Sequence, residues 1–420
     1  MKVIHLFYLT LTLCNIIEIP FYKEINYKKD LSELILYNKI YTFIDIGEPK
    51  QKIKTYFNFT QYYYYITDIN LNGIYNKNNS KTYSLQIPFE KSYSKQDFDK
   101  GYSSLDNIYF QLKNNEIKLI EKFPFILVTK SKKNLTKSTI GLNYGINPLS
   151  TDENLIFQLK QKKIISTFYF SIKYENNNKG NIIIGDLPHL YDNTLSEEFY
   201  IYSYSYLPSY QKSYDLKFNL VSYGNISIQY STIINFNNNY YGLISNNQIK
   251  ENIDNYFFEK YFKENKCFYD KFNENNNIIF YYCNKNVDIS KFNDFNFYKK
   301  EMNYTFSLNY KDLFIELDEK YYFLIFFNKN EKSNWIFGEI FFRKYQMTFE
   351  QDKKLIGFYV GKKKISSENT YFFIIVFLLI LILGLIYIIY NLLIKRPRRK
   401  KANELMEDYD YIPNELHINN

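Results

Sequence analysis

Glycine, cysteine, histidine and tryptophan are scarce in this chain of 420 residues, which has 13 Gly, 3 Cys, 3 His and 1 Trp. The few glycines build neither a phosphate-binding loop nor a dinucleotide fingerprint, and the Gly-x-Ser-x-Gly elbow of serine hydrolases does not occur. His5, His189 and His417 lie far apart, and the cysteines lack the close spacing of zinc ligands. We therefore expect no metal site and no cofactor.

The chain is instead rich in aromatic and amide side chains, with 46 Tyr and 38 Phe beside many Asn, Lys and Ile. Its formal net charge is +9. Lysines are interleaved with Asp, Glu and Asn and form no dense stripe before residue 395, so the basic patch of a nucleic-acid-binding protein is missing. The sequence predicts no nucleic-acid partner, and its length allows two domains or one large bilobal domain.

The N-terminus has the pattern of a signal peptide. Met1-Lys2 gives a basic start, and the apolar run Val3 to Cys14 follows. This pattern predicts a signal peptide over residues 1–18, with cleavage between Cys14 and Pro20, and entry into the secretory pathway. The alternative is that this run forms a buried strand.

A second apolar run lies near the C-terminus. Residues 371–394 carry no charge over 24 positions, and a helix of that length spans about 36 Å, more than a hydrocarbon core of about 30 Å. A basic cluster at residues 395–401 follows directly. We predict a single transmembrane helix over 371–394 and a cytosolic tail over 395–420, with the larger part of the chain lumenal or extracellular. The alternative is a core helix.

Two cysteines remain once Cys14 has left with the signal peptide. Cys267 and Cys283 are 16 positions apart, and in an oxidising compartment such a pair predicts a disulfide across a turn. Two buried free thiols are the alternative.

Between residues 34 and 365 the sequence alternates short runs of Ile, Tyr, Phe and Val with Asn clusters, which predicts a mostly β architecture. Helical spacing of apolar residues is confined to 154–163 and 247–264. Two half-repeats are also visible. Each has a β run that ends in Asn-Phe, at Asn58 and Asn235, and a later apolar-Gly step, at Gly141 and Gly338. A duplicated unit of this kind favours two lobes with a cleft between them.

These passages resemble the pepsin-type aspartic peptidases over roughly residues 36 to 362. The resemblance rests on Ile44-x-Ile46-Gly47-x-Pro49, on the step 138–142, and most specifically on the segment 334–345, Asn-Trp-Ile-Phe-Gly-Glu-Ile-Phe-Phe-Arg-Lys-Tyr. It implies two β lobes, 36–192 and 196–362, a peptide-binding cleft, and one Asp-Thr-Gly triplet from each lobe at the cleft floor.

In this sequence the triplets align with Asn58-Phe59-Thr60 and Asn235-Phe236-Asn237. An active aspartic peptidase needs two facing carboxylates that share a proton, and an amide neither accepts nor releases that proton. We therefore expect an inactive homologue. Phe59 and Phe236 replace the hydroxyls that cross-brace the loops in the family, and we expect them, with Thr60 and Asn237, to fill the cleft floor.

Three further predictions concern the flap, the glycan acceptors and the C-terminal tail. The resemblance makes Tyr93 the flap tyrosine. Glycan acceptor patterns occur at five asparagines; the one at Asn58 would be hard to reach at a cleft floor, which leaves Asn78, Asn134, Asn225 and Asn303. Tyr409-Asp410-Tyr411-Ile412 matches a tyrosine-based sorting signal, in which Tyr409 and Ile412 are the key residues; a solvated, disordered tail is the alternative.

Three functions remain open from the sequence. The first is an inactive pepsin-fold membrane protein that binds a polypeptide in its cleft or along a strand edge. The second is an active aspartic endopeptidase that uses other acids, for which Asp45 and Asp68 lie near the first triplet in sequence. The third is a glycosylated surface module whose groove is not used.

Overall fold

The computed structural model describes residues 16–24, 31–71, 74–92, 98–111, 116–131, 137–143, 154–205, 214–272, 275–329, 334–361 and 368–409. The chain forms two compact units, one ending at Lys362 and the other beginning at Lys363. The first unit is built mainly from strands, which confirms the mostly β prediction. The strands are β1 Ile17–Lys23, β2 Ile40–Ile46, β3 Gln51–Asn58, β4 Tyr64–Thr67, β5 Ser84–Ser92, β6 Phe98–Gln111, β7 Ile117–Ser131, β8 Ser138–Gly141, β9 Tyr169–Tyr174, β10 Lys179–Ile184, β11 Tyr200–Tyr204, β12 Asp215–Tyr223, β13 Ile226–Phe236, β14 Leu243–Asn246, β15 Cys267–Phe272, β16 Asn275–Asn284, β17 Phe295–Lys299, β18 Tyr304–Leu308, β19 Phe314–Leu317, β20 Lys320–Asn328, β21 Trp335–Phe337, β22 Gln346–Glu350 and β23 Leu355–Tyr359.

The strands form two sheets. One has 13 strands in the order β11-β23-β22-β9-β10-β1-β2-β3-β8-β4-β7-β6-β5. The other has 10 strands, in the order β15-β16-β20-β14-β21-β13-β12-β17-β18 with β19 beside β20. Strands β22 and β23 come from the end of the unit yet pair with β9 and β11, so the two halves of the chain are joined through one shared sheet.

Strand β1 belongs to this shared sheet, although it precedes the expected start of the first lobe at residue 36. It pairs with β10, from Ile17 opposite Ile184 onward, and Ile17, Ile19 and Phe21 are buried because alternate side chains of a strand face the same side. The expected end of the signal peptide at residue 18 would cut into β1. Cleavage that leaves the strand intact falls before Ile17, and the signal peptide itself stays a prediction.

Short helices lie where helical spacing predicted them. Helix α1, Leu155–Gln161, is capped by Asn154, whose side-chain oxygen accepts a hydrogen bond from the Phe157 amide at 3.1 Å. The segment 247–264 forms α2 Asn247–Ile253, a π-helical turn and α3 Glu259–Lys263. Two further helices, α4 Tyr310–Leu313 and α5 Glu339–Lys344, follow β18 and β21.

Aromatic rings fill much of the core, which gives the compositional excess a structural role. Phe257 is one centre of this packing, with its ring centroid 4.5 Å from that of Phe292, 4.6 Å from Tyr223 and 4.8 Å from Phe323. Trp335, the only tryptophan of the chain, is fully buried on β21 and makes an edge contact with Phe297. Edge-to-face and offset contacts of this kind are the arrangements that aromatic pairs prefer.

The predicted disulfide is confirmed. Cys267 and Cys283 are cross-strand partners on β15 and β16, and both are buried and bonded. The bridge joins two residues that are 16 positions apart in sequence.

We expect the double variant Cys267→Ala/Cys283→Ala to lose about 3 kcal/mol of unfolding free energy, because the unfolded chain regains the entropy of a loop of this length. Urea unfolding followed by Trp335 fluorescence measures the loss. Wild-type protein treated with a reductant serves as the control and should approach the same midpoint. A loss below about 1 kcal/mol would contradict a structural role for the bridge.

The second unit is helical wherever the structure describes it. Helix α6, Glu368–Tyr390, continues through a π-helical turn at Asn391–Lys395 into α7, Arg396–Tyr409. By length and composition, Val376–Lys401 is a candidate membrane span. A disordered tail is the alternative that the sequence leaves open. The described part of the tail is helical up to Tyr409, which agrees with its content of Arg, Lys, Ala, Glu, Leu and Met, residues that favour a helix. Ile412 lies outside the described residues.

Candidate functional site

Two loops of the first unit repeat one construction. Strand β3 runs parallel to β8 and ends with Asn58 beside Gly141. Strand β13 runs parallel to β21 and ends with Phe236 beside Phe337. Each loop therefore begins where the parallel neighbour of its strand reaches a glycine, Gly141 or Gly338. A Cβ atom at either glycine would lie less than 3 Å from backbone atoms of the loop, so only glycine fits there.

The register of these strands makes Asn237, two residues after the expected Asn235, the counterpart of Asn58. Since Phe236 pairs with Phe337, the next residue, Asn237, comes beside Gly338, as Asn58 comes beside Gly141. The local hydrogen bonds agree. The Thr60 amide donates to the Asn58 side-chain oxygen at 2.8 Å, and the Asn239 amide donates to that of Asn237 at 3.0 Å.

The spacing to the following strand supports the same correction. Tyr64, six residues after Asn58, pairs with Ile140 next to Gly141. Leu243, six residues after Asn237, pairs with Phe337 next to Gly338. The second triplet is therefore 237–239, Asn-Asn-Asn.

Asn235 has a different environment. It lies within β13 opposite Asp215 of β12, and its Nδ2 donates to the Asp215 carboxylate at 2.7 Å. Positions 235 and 237 are two apart, and a strand repeats its side-chain direction every two residues, so the sequence pattern fits either asparagine equally well. The sequence signal that distinguishes the two positions is the number of residues from the asparagine to the strand that follows it.

A cross-brace between the two loops is present, contrary to the expectation that Phe59 and Phe236 abolish it. Asn238 is fully buried; its Oδ1 accepts from the Phe59 amide at 3.0 Å, and its Nδ2 donates to the Phe57 carbonyl at 3.3 Å. The Asn38 side chain donates to the Asn238 carbonyl at 3.0 Å. An amide side chain offers both an acceptor and a donor, so one residue satisfies both backbone groups of the opposite loop.

Phe59 and Phe236 lie beneath the loops, within the core, and do not fill the cleft. Phe59 makes edge contacts with Phe170, Phe342 and Phe349 at centroid distances of 5.4–5.6 Å. Phe236 also reaches Phe342, at 6.3 Å. Because these rings are apolar, burial beneath the backbone removes them from water. Thr60, in contrast, is exposed on the loop.

Two backbone hydrogen bonds hold the second loop against residues 36–38. The Asn38 amide donates to the Asn239 carbonyl at 2.8 Å, and the Tyr241 amide donates to the Leu36 carbonyl at 2.9 Å. The Nδ2 of Asn239 reaches the Asn58 side-chain oxygen at 3.3 Å. Asn239 thus contacts the side-chain oxygens of both central asparagines, and the two loops form one hydrogen-bonded floor.

A buried ionic cluster supports this floor from the α5 side. Glu339, fully buried, binds Lys23 at 3.0 Å and also Arg343. Burial lowers the pKa of Lys23, although Glu339 opposes the shift. Burial, with Glu339 nearby, raises the pKa of Tyr241 to about 12. The cluster ties β1 and α5 together, since a buried charge without its partner would be costly.

The floor has no acid in place. In the described part of the chain, the side chains of Asn58 and Asn237 bond to backbone amides, to the Thr60 hydroxyl and to Asn239. Asp68, one of the acids nearest in sequence, is buried and accepts from the Asn70 amide. No group of His, Cys, Asp and Glu that could hold a metal occurs among the residues described. The floor can form hydrogen bonds but has no group that titrates near neutral pH.

The other predicted site residues are only partly described. Tyr93 lies outside the described residues, between the last residue of β5, Ser92, and the first of β6, Phe98. Asn134 also lies outside them. Asn78, Asn225 and Asn303 are exposed, whereas Asn58 is half-buried and its side chain is held by hydrogen bonds from Thr60. Use of the exposed asparagines for glycans stays a prediction.

Comparison with known proteins agrees with this architecture. The family model described as eukaryotic aspartyl protease matches residues 39–360. No curated protein sequence matches the chain significantly. Among solved structures, the basic 7S globulin from soybean superposes with a TM-score of 0.64 at 12% identity, covering 83% of this chain and 96% of that one, which shows a shared fold. The chain belongs to the eukaryotic aspartyl protease family.

Proposed function

We propose that this protein is a membrane-anchored member of the family that has no peptidase activity and binds a polypeptide in or near its cleft. The observation that carries the proposal is the pair Asn58 and Asn237 at the two loop positions, each bonded to amides or a hydroxyl. Peptide hydrolysis in this family needs one carboxylate to activate water and a second carboxyl group to donate a proton. A side-chain amide performs neither step.

The binding part of the proposal rests on the maintained floor. Asn238 and the pairing of Leu36–Asn38 with Asn239–Tyr241 hold the loops together without the acids. A groove with a fixed backbone can hold an extended polypeptide through main-chain hydrogen bonds and side-chain pockets. The predicted signal peptide and the candidate span Val376–Lys401 support the anchored, secretory location.

The direct test incubates the full-length protein with an unfolded protein substrate from about pH 3 to about pH 7, with and without pepstatin. We expect no pepstatin-sensitive cleavage at any pH. Such cleavage would establish the alternative, an active endopeptidase that uses other acids.

The variant Asn58→Asp/Asn237→Asp tests the remodelled floor. We expect it to remain inactive, because Phe59 supplies no second brace and the Thr60 and Asn239 side chains stand where the family has glycine. Two adjacent carboxylates repel, so one pKa rises above its unfolded value. A raised carboxyl pKa favours the folded state at acid pH, so the variant should lose about 2 kcal/mol more stability at neutral pH than near pH 4.

The single variant Asn58→Asp is the control for this experiment. It has one carboxylate and should lack the added pH dependence. Recovery of cleavage in the double variant would show that the floor is less altered than the contacts of Phe59 and Asn238 indicate.

A glycosylated surface module is the second candidate, supported by the exposure of Asn78, Asn225 and Asn303. Photo-crosslinking separates it from a binding protein. The crosslinker is placed at Thr60, which is exposed, since Phe59 is buried. A used groove should give crosslinks at Thr60 that an excess of unlabelled polypeptide removes, and an unused groove should give none.

A further inference from the structure

The structure contains a cavity of about 410 Å³ that the asparagine loops do not line. It lies where β9, α5 and the end of β23 meet, and none of the residues 57–60 or 235–239 lines it. Part of its lining is apolar and comes from four buried residues, Ile172, Leu195, Phe342 and Tyr345. The cavity is therefore large enough for a small organic molecule with an apolar body.

Aromatic faces form part of the remaining wall. Tyr304 and Tyr359 line the cavity. The hydroxyl of Tyr359 is engaged with His189, at 2.7 Å, and that of Tyr345 donates to the Ser307 carbonyl at 3.0 Å. Because these hydroxyls are already bonded, Tyr345 and Tyr359 offer mainly their rings to a molecule in the cavity.

The charged residues of the wall are mostly basic. Lys173, Arg343 and Lys344 line the cavity, and Asp192 is the one carboxylate among the lining residues. Asp192 pairs with Lys173. Burial opposes its ionisation, but hydrogen bonds from Lys173 and Thr194 hold the pKa of Asp192 below its usual value.

The other two cations, Arg343 and Lys344, pair with carboxylates that are not part of the cavity lining. Arg343 pairs with Glu339, and Lys344 pairs with Asp312 at 2.5 Å; neither acid lines the cavity. An ammonium group has three donor hydrogens, so Lys173 and Lys344 each retain donors after forming these pairs. The cavity thus presents an excess of positive charge beside an apolar floor.

Gln346 also lines the cavity, and its Nε2 is buried without a hydrogen-bond partner among the described residues. A buried donor left without an acceptor is unfavourable. Because this atom has no surface open to the cavity, a bound molecule reaches it only if the Gln346 side chain turns, so the argument for a ligand rests on the basic and apolar side chains of the wall.

We propose that this cavity binds a small organic anion, with a phosphate or carboxylate group at Lys173 and Lys344 and an aromatic or aliphatic body against Phe342 and Tyr345. Arg343 is committed to Glu339, so its charge contributes without the bidentate contact that a free guanidinium makes. The asparagine loops do not line this site, although Phe342 packs against both Phe59 and Phe236.

Phenyl phosphate is the probe, because it combines a dianion with an aromatic body. Calorimetric titration of the full chain in an uncharged detergent should show saturable binding. Inorganic phosphate lacks the body and phenol lacks the charge, and each should bind at least about tenfold more weakly. Equal binding of phenol and phenyl phosphate would overturn the proposal.

The variant Lys173→Met/Lys344→Met removes both lysines and should weaken phenyl phosphate binding at least about tenfold. The matched control is Lys263→Met/Lys285→Met, which removes two lysines from surface ion pairs outside the cavity and should bind as the wild type does. Unchanged affinity in the first variant would refute the site. Should that variant not fold, as judged by Trp335 fluorescence, Lys173→Met alone provides the test, and we expect it to weaken binding about threefold or more.

The same chemistry could come from a soluble metabolite or from a lipid headgroup. Reconstitution in bilayers of phosphatidylcholine alone, and in bilayers that also contain phosphatidylserine, distinguishes these sources. Loss of phenyl phosphate binding only in the second bilayer would assign the site to anionic lipid, and equal binding in both would assign it to a soluble anion. Absence of saturable binding in detergent and in both bilayers would overturn the proposal.

Discussion

Replacing Phe59 with alanine is expected to lower the free energy of unfolding by about 4 kcal/mol. The ring is fully buried and contacts Phe170, Phe342 and Phe349, so its removal leaves a cavity beneath the first loop. Urea unfolding of the full chain, followed by the fluorescence of Trp335, measures the change. Phe43→Ala is the control, because Phe43 is 38% exposed and should cost about 1 kcal/mol or less.

The variant Phe59→Thr sharpens this test, since it introduces the hydroxyl that the family has at this position. We expect a loss as large as that of Phe59→Ala, because the side chain points into an aromatic core where a hydroxyl lacks a partner. A stability equal to that of the wild type would show that the loop can turn the introduced hydroxyl toward the opposite lobe, and that Phe59 is not fixed in the core.

Replacing Asn238 with leucine is expected to cost about 4 kcal/mol, although leucine has a similar volume. The substitution leaves the Phe59 amide and the Phe57 carbonyl buried without partners, and each such group costs about 1–3 kcal/mol. The Asn38 side chain should keep its bond, because it donates to the backbone of residue 238. Denaturant titration gives the loss, and the midpoint should fall without a change in slope.

Asn296→Leu is the matched control for this substitution. Asn296 is half-buried on β17, and its side chain makes no hydrogen bond to the residues that the structure describes. We expect a change within about 0.5 kcal/mol. If Asn238→Leu were equally mild, the cross-brace would contribute nothing to the association of the two loops, and the floor would owe its rigidity to the pairing of Leu36–Asn38 alone.

These two residues show how the protein retains the architecture of its family without the acids. Asn238 bonds to the backbone of the opposite loop in both directions, while Phe59 anchors its own loop by burial. The hydrogen bonds that maintain the floor therefore do not require carboxylates at the two loop positions. A polypeptide-binding role needs the first and does not need the second.

Several features were predictable because they depend on local patterns. The closing segment around Trp335–Phe337, the helices at 155–161 and 247–263, and the pairing of Cys267 with Cys283 all lie where the sequence placed them. Asn154 illustrates the reason: a capping asparagine acts on the backbone three residues away, so its effect is visible in sequence. The candidate membrane helix likewise follows from a continuous apolar run.

The sequence pattern assigned the second loop to the wrong asparagine, because the position of that loop depends on the strand that pairs with it. Asn235 and Asn237 share one face of an extended chain, and only the pairing of Phe236 with Phe337 decides which of them stands beside the glycine. Asn238 and Asn239 were missed for the same reason, since their roles exist only where the opposite loop presents the Phe57 carbonyl and Asn58. Nothing in a run of asparagines marks one of them as the brace.

By itself the sequence determined the β-rich class, the family, the disulfide, the apolar span and the absence of acids from both loops. Each of these follows from residue type or from spacing along the chain. The tertiary structure alone decided which asparagine closes the second loop, where Phe59 and Phe236 point, and that Lys173, Arg343 and Lys344 gather around one cavity. These depend on strand register and on contacts between segments distant in sequence, which a one-dimensional pattern does not contain.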